Sequence, residues 1–131
     1  MPPKVKVTGE DIINAAVAIV RNSGAQAINA RTVASYLNCS TQPVFSNFAS
    51  MEELRLAVVE KADAICGEYI RREIESGKYP VYKASGMAYI RFAREEKELF
   101  KLLYMRDRTK EIIPESSELG DQMEDIVQSN T

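Results

Sequence analysis

The 131-residue chain contains no histidine, and that absence removes a good deal of chemistry. Histidine is the commonest general base near neutral pH and the commonest zinc ligand. An enzyme built from this sequence would have to work with carboxylates, lysines or tyrosines. Cysteine is scarce as well: Cys39 and Cys66 show no metal-ligand spacing and read as two reduced, partly buried thiols. There is no Gly-rich loop to cradle a phosphate and no nucleophile elbow. No window approaches the ~18 consecutive apolar residues of a membrane span. The opening MPPKVKVTGE lacks the apolar stretch that follows the basic start of a signal peptide. The expectation is a cytoplasmic protein that is not an enzyme and uses neither metal nor cofactor.

What is present fits a globular domain, with 45% hydrophobic and 27% charged residues. The net charge of −2 argues against a generally basic nucleic-acid coat, but the charge is unevenly placed. Residues 1–50 hold Lys4, Lys6, Arg21 and Arg31 against Glu10 and Asp11, whereas residues 51–131 are net acidic. A slightly positive head on a negative body suits a protein with one DNA-facing end.

The most informative stretch is NARTVASYLNCSTQPVFSNFAS, from Asn29 to Ser50. It reads as two short helices around a tight turn. Asn29 can cap the first, Ala30 to Leu37, by accepting an orphan N–H of its first turn. Asn38 tolerates the left-handed backbone that a helix exit often needs. Ser40 is placed to cap the second helix, with Pro43 in its first turn, where a missing N–H costs little. Val33 and Leu37 share one face of the first helix, and Val44 and Phe48 one face of the second. These pairs can close two crossed helices on a common core. Thr41, Gln42, Pro43, Phe45, Ser46 and Asn47 then point outward. That surface is small, polar and almost uncharged, which suits the floor of a DNA major groove. The pattern is a helix-turn-helix.

The remainder reads as helices throughout. Pro2 to Val7 is a short basic tail, in which Lys4 and Lys6 either reach a phosphate or minor groove or form an ordinary solvated terminus. Thr8 with Asp11 resembles a capping box for a helix from Gly9 to about Asn22, with Ile13, Ala16, Val17 and Val20 inward. Gly24 ends it as a left-handed cap would. Ser50-Met51-Glu52-Glu53 is a full capping box for a 26-residue helix, Met51 to Ser76. At ~1.5 Å per residue it spans about 39 Å, enough to join a head to a body. Leu54, Val58, Ala62, Ile65 and Tyr69 line one side, with Ala57, Ala64, Ile70 and Ile74 widening the stripe. Gly67 interrupts it for the sake of close packing or a kink. Pro80 opens a fifth helix, which is apolar around Arg91 from Met87 to Ala93 and so is expected to be buried on most sides. A sixth follows from Glu96 to Met105. RDRTKEIIPESSE reads as an exposed connection, and a seventh helix from Ser117 carries Leu119, Met123, Ile126 and Val127. The fold class is all-α: a helix-turn-helix head over residues 6–66 and a partial helical body over 67–131.

These residues resemble the tetracycline-repressor (TetR) family of transcriptional regulators. The likeness begins at DIINAAVAIVRNSGAQAINARTVASYLNCSTQPVFSNFASMEEL and continues into YIRFAREEKELFKLLYM, covering about a hundred residues. It implies that Arg31, Thr41, Gln42, Pro43, Phe45, Ser46 and Asn47 stand at DNA-contact positions, with Lys4 and Lys6 as auxiliary contacts. Gln42 could pair with an adenine edge, Thr41 with several bases, and Pro43 with a thymine methyl, while Arg31 and Ser46 could hold phosphates. Phe45 stands where the family usually has Tyr. Asn47 replaces a frequent His and Met51 a frequent Lys, which implies weaker non-specific binding and a shallower salt dependence. Lys97 replaces a common Pro, so the break between the fifth and sixth helices is expected to be less sharp.

The resemblance also implies a ligand-binding body and a homodimer on a palindromic double-stranded operator. Tyr69, Met87, Phe92, Phe100, Leu103 and Tyr104 are the candidate pocket residues, with Arg91 or Arg94 as polar anchor. Their aromatic character points to a small apolar effector. The competing reading of the same residues is plain core. Family members generally continue with two further helices that form the dimer bundle, whereas this sequence stops at Thr131. The expectation is a shortened chain or one that dimerises differently, with Leu119, Met123, Ile126 and Val127 partly uncovered and association weak. The rival function is a helical protein-interaction module whose helix-turn-helix is structural.

Overall fold

The computed structural model describes residues 6–105, and among these every regular element is helical. Six α-helices follow one another: α1 (Gly9–Ser23), α2 (Ala30–Leu37), α3 (Gln42–Asn47), α4 (Met51–Glu75), α5 (Val81–Glu95) and α6 (Lys97–Tyr104). A 3₁₀ turn at Ala25–Ala27 joins α1 to α2. The all-α expectation therefore holds for the described residues. Lys4, the connection after Met105 and the expected seventh helix lie outside them. None of the described helices is long and apolar enough to cross a membrane.

Local chemistry sets most helix ends. The Thr8 hydroxyl accepts the Asp11 N–H while the Asp11 carboxylate accepts the Thr8 N–H, a reciprocal box at the start of α1. The Thr8 backbone N–H, with the Thr8 side chain second, holds the Asp11 carboxyl below the usual carboxylate range. Asn29 and Thr32 make the same reciprocal pair for α2. Asn38 ends α2 in the left-handed region, φ 56 and ψ 47, and the following Cys39 N–H reaches back to the Ala34 carbonyl. Both predictions for α2 are met.

Four local expectations need correction. Ser40 caps nothing: Thr41 precedes α3 as its cap residue, in helical backbone and without a side-chain cap bond. At the start of α4 the Ser50 hydroxyl accepts the Glu53 N–H as expected, but Glu53 returns its bond to the Ala49 N–H, one residue before the cap. Gly24 has positive φ, 88°, but its ψ of 165° is extended rather than left-handed helical, so the chain leaves α1 straight into the 3₁₀ turn. A Cβ there would also collide with the Gln26 side chain. Finally, Gly67 has open space around it, which rules out close packing as its reason.

The core is one continuous cluster. In α1 the inner row contains Ile12, Ala15, Ala16, Ile19 and Val20, so Ile12 rather than Ile13 is the fully buried isoleucine. Ile28, just before α2, is fully buried in the same cluster. Val33 of α2, Val44 of α3 and Phe48 close on Leu54 and Val58 of α4. Farther along α4 the buried row continues through Ala62, Cys66 and Glu73; Ile65 and Tyr69 flank it and Ala64 is exposed. α5 packs most extensively on α4 but buries only Ala84, Ala88 and Phe92. The expectation that α5 is buried on most sides therefore fails. Its outer residues Tyr82 and Ile90 remain exposed, because α4 and α6 together cover only one side of the helix.

The exposed, uncrowded place of Gly67 inside a 25-residue helix makes a stability prediction. Gly67→Ala should raise unfolding stability by roughly 0.5–1 kcal/mol, since Ala loses less backbone entropy and meets no neighbour. Denaturant titration checks it. A loss of stability would mean that the glycine serves a bend.

Candidate nucleic-acid interface

α2 and α3 are held as a crossed pair by the four residues that their spacing singled out. Val33 and Val44 are fully buried, Phe48 is nearly so, and Leu37 is half-buried against the same cluster. Four residues, Asn38 to Thr41, make the turn, and the left-handed Asn38 reverses the chain direction. α3 is short, six residues, so it owes its helical form to this packing and not to its own propensity.

With Val44 inward, the remaining side chains of α3 face solvent. Thr41, Gln42, Phe45, Ser46 and Asn47 are exposed, and Pro43 is half-buried. Phe45 is 61% exposed, so it does not serve the core. The exposed residues do not offer equal chemistry. The Asn47 amide donates to the Pro43 carbonyl at 2.7 Å and the Ser46 hydroxyl donates to the same carbonyl at 3.2 Å. The Asn47 amide oxygen also lies toward Gly9 at the start of α1, 3.6 Å from where a Cβ on that glycine would stand. Both side chains are thus engaged with their own head. Thr41 makes no capping bond, and Gln42 makes no side-chain hydrogen bond among the described residues. Gln42 accordingly presents a complete amide, two donors and one acceptor, at the first turn of α3.

Arg31 stands exposed in the first turn of α2, without an acidic partner among the described residues. Lys6 is exposed just ahead of the Thr8 cap. Other head cations are engaged: Arg55 pairs with Glu52 at 2.7 Å and reaches the Ile28 carbonyl at 3.5 Å, and Lys61 pairs with Glu10 at 3.6 Å. Among the described residues, the end carrying α3 therefore offers two unpaired cations, a free amide, a free hydroxyl and the exposed Phe45 ring. Tyr36 on α2 is a further exposed aromatic of this head that the residue pattern did not single out.

The candidate pocket residues come together between α4, α5 and α6, chiefly as a stack of rings. Tyr69 meets Phe92 edge-on at 5.5 Å, Phe92 lies 6.4 Å from Phe100, and Phe100 lies 4.9 Å from Tyr104. Tyr104 in turn meets Tyr89 at 6.3 Å. Phe92 and Leu103 are buried in the common core, and Met87 is half-buried. Burial, a bond to Glu95 and the negative charge of Glu95 and Glu96 push the Tyr69 hydroxyl up to about 12. Cys66 is buried and hydrogen-bonded with Tyr104; its thiol is pushed up by desolvation and so stays protonated and unreactive. Arg91 does not point free toward these rings. Its guanidinium donates to Glu73 at 2.8 Å, and the Glu73 side chain is only 5% exposed. The sequence signal for this pair was an acid in the buried register of α4, one turn beyond Tyr69 and Ile70.

Among the described residues no group of histidine, cysteine or carboxylate side chains could hold a metal ion. No model of a known protein family matches the chain, and no curated protein matches it at a significant level.

Proposed function

We propose that this chain is a DNA-binding transcriptional regulator, a repressor that a small apolar effector releases from its operator. The observation that carries the reading is the free Gln42 amide beside the free Thr41 hydroxyl, on a short helix fixed by its neighbour and bare of charge. An amide in that position can bond N6 and N7 of adenine together, and the exposed Phe45 ring can lie on a thymine methyl. Arg31 takes a phosphate and sets the register of the head on the duplex. Ser46 and Asn47 contribute less, because both already donate to Pro43. The reading also rests on the likeness to TetR-type regulators. Two heads in a homodimer would read two half-sites of a palindrome about one helical turn, ~34 Å, apart. An effector in the ring-lined body would favour a separation of the two heads that fits DNA less well. Such a protein works in the cytoplasm, where its DNA is.

The alternative is a helical protein-interaction module. The exposed Phe45 and Tyr36 rings favour it, since aromatic side chains are common anchors at protein interfaces. A gel-shift of the protein against the DNA upstream of its own gene separates the two readings.

Two side chains make the DNA reading specific. Gln42→Ala should weaken binding to the cognate site by roughly 1–3 kcal/mol while hardly changing binding to random DNA. Arg31→Ala should weaken both and flatten the salt dependence of each. Equal losses on cognate and random DNA for Gln42→Ala would remove its base-reading role. Titrations at several salt concentrations supply both numbers.

For the body, a thermal-shift panel of diverse small molecules should give stabilisation with apolar or aromatic compounds, about 2.7 kcal/mol at a hundred times Kd. The Tyr69, Phe92, Phe100 and Tyr104 rings motivate this. Stabilisation by sugars or phosphorylated compounds alone would defeat the apolar-effector reading.

A further inference from the structure

α5 carries an outer face that no described element covers. Tyr82, Gly86, Tyr89 and Ile90 recur at the spacing of one side of a helix. Tyr82 is 85% exposed and Ile90 55%, and Gly86 leaves open space between them. The Tyr89–Tyr104 ring contact extends this face onto the end of α6, where Met105 is 71% exposed. Apolar groups that lie together on a surface mark a place where something docks. Two cations border the face, Lys83 and Arg94, and neither pairs with a carboxylate among the described residues. Lys83 only lies over the Tyr79 ring, at 4.9 Å.

The sequence after α6 has the complementary character. From Glu111 to Thr131 it carries Glu111, Glu115, Glu118, Asp121, Glu124 and Asp125, and neither lysine nor arginine. Leu119, Met123, Ile126 and Val127 fall at helical spacing within it. Residues 106–110 supply a tether of about 17 Å at ~3.4 Å per residue, starting beside the Tyr104 ring. We propose that segment 111–127 of this same chain docks on the outer face of α5, its apolar side over Tyr82 and Ile90 and its acids toward Lys83 and Arg94. The short tether raises the effective concentration of the segment at the face to the millimolar range, which favours it over a second copy of the chain. The docking is independent of what the head binds.

The chain has no tryptophan, so Ile90→Trp places a single indole on the face of the otherwise intact protein. Acrylamide should quench this indole severalfold less than a free one. Adding Met123→Asp and Ile126→Asp should restore full quenching with unchanged helical content by circular dichroism. If Ile90→Trp fails to fold, Tyr82→Trp reports from the most exposed position of the same face. An indole fully quenched before the tail is altered overturns the proposal. So does shielding that survives the two aspartates, because the occupant is then not the tail. Shielding that appears only as protein concentration rises assigns the face to a second copy and overturns it equally.

Discussion

One inner row of side chains on α4 must be covered by two different sets of helices. Leu54 and Val58, near its start, are fully buried in the cluster that α1 shares with Val33 and Val44, and α1 is the helix of the head that packs on α4. Ala62, Cys66 and Glu73, farther along, are buried against α5 and α6. Both groups belong to one rod of hydrogen-bonded backbone, so the head cannot shift without carrying the first half of that row with it. Because α1 also packs on α6, the head is clasped at two places and not merely strung on a linker.

The ion pairs add position more than strength. Arg21, at the end of α1, bonds Glu96 at 2.7 Å, and Glu96 is the single non-helical residue between α5 and α6. That one residue, with φ −121 and ψ 55, separates the two helices although lysine and not proline stands at position 97. Glu95 beside it helps to push the Tyr69 hydroxyl up. Exposed pairs of this kind contribute about 0–1 kcal/mol each. Their value is to tie the α5–α6 corner to α1 and α4 in one register. The Glu73–Arg91 pair differs, because the acid is buried and, among the described residues, Arg91 is its one ionic partner.

The head shows how inward packing and outward-facing polar groups are divided along the six residues of α3. Val44 and the flanking Phe48 anchor the helix, which frees Thr41, Gln42 and Phe45 to face outward. Its polar residues then split again. Ser46 and Asn47 turn back to the Pro43 carbonyl, one turn behind them. Gln42, at the start of the helix, has no carbonyl one turn behind it in the same helix and keeps its amide free.

Much of this was legible in the residues themselves. The boundaries of α2, the left-handed Asn38, the Thr8 box and the inward set Val33, Val44 and Phe48 depend on interactions within a few positions, which the sequence alone determines. So does the all-helical character of the described chain, since an apolar period near 3.6 leaves no other element able to bury it. What only the tertiary structure decided is which neighbour each face meets. The apolar run of α5 gave no hint that no described helix covers Tyr82 and Ile90, because composition does not say how many sides of a helix find partners. Arg91 as the partner of Glu73, the ring stack from Tyr69 to Tyr89, and the turning back of Ser46 and Asn47 were equally hidden. Each depends on a distance between groups brought together by folding, and such distances exist only once the helices have packed.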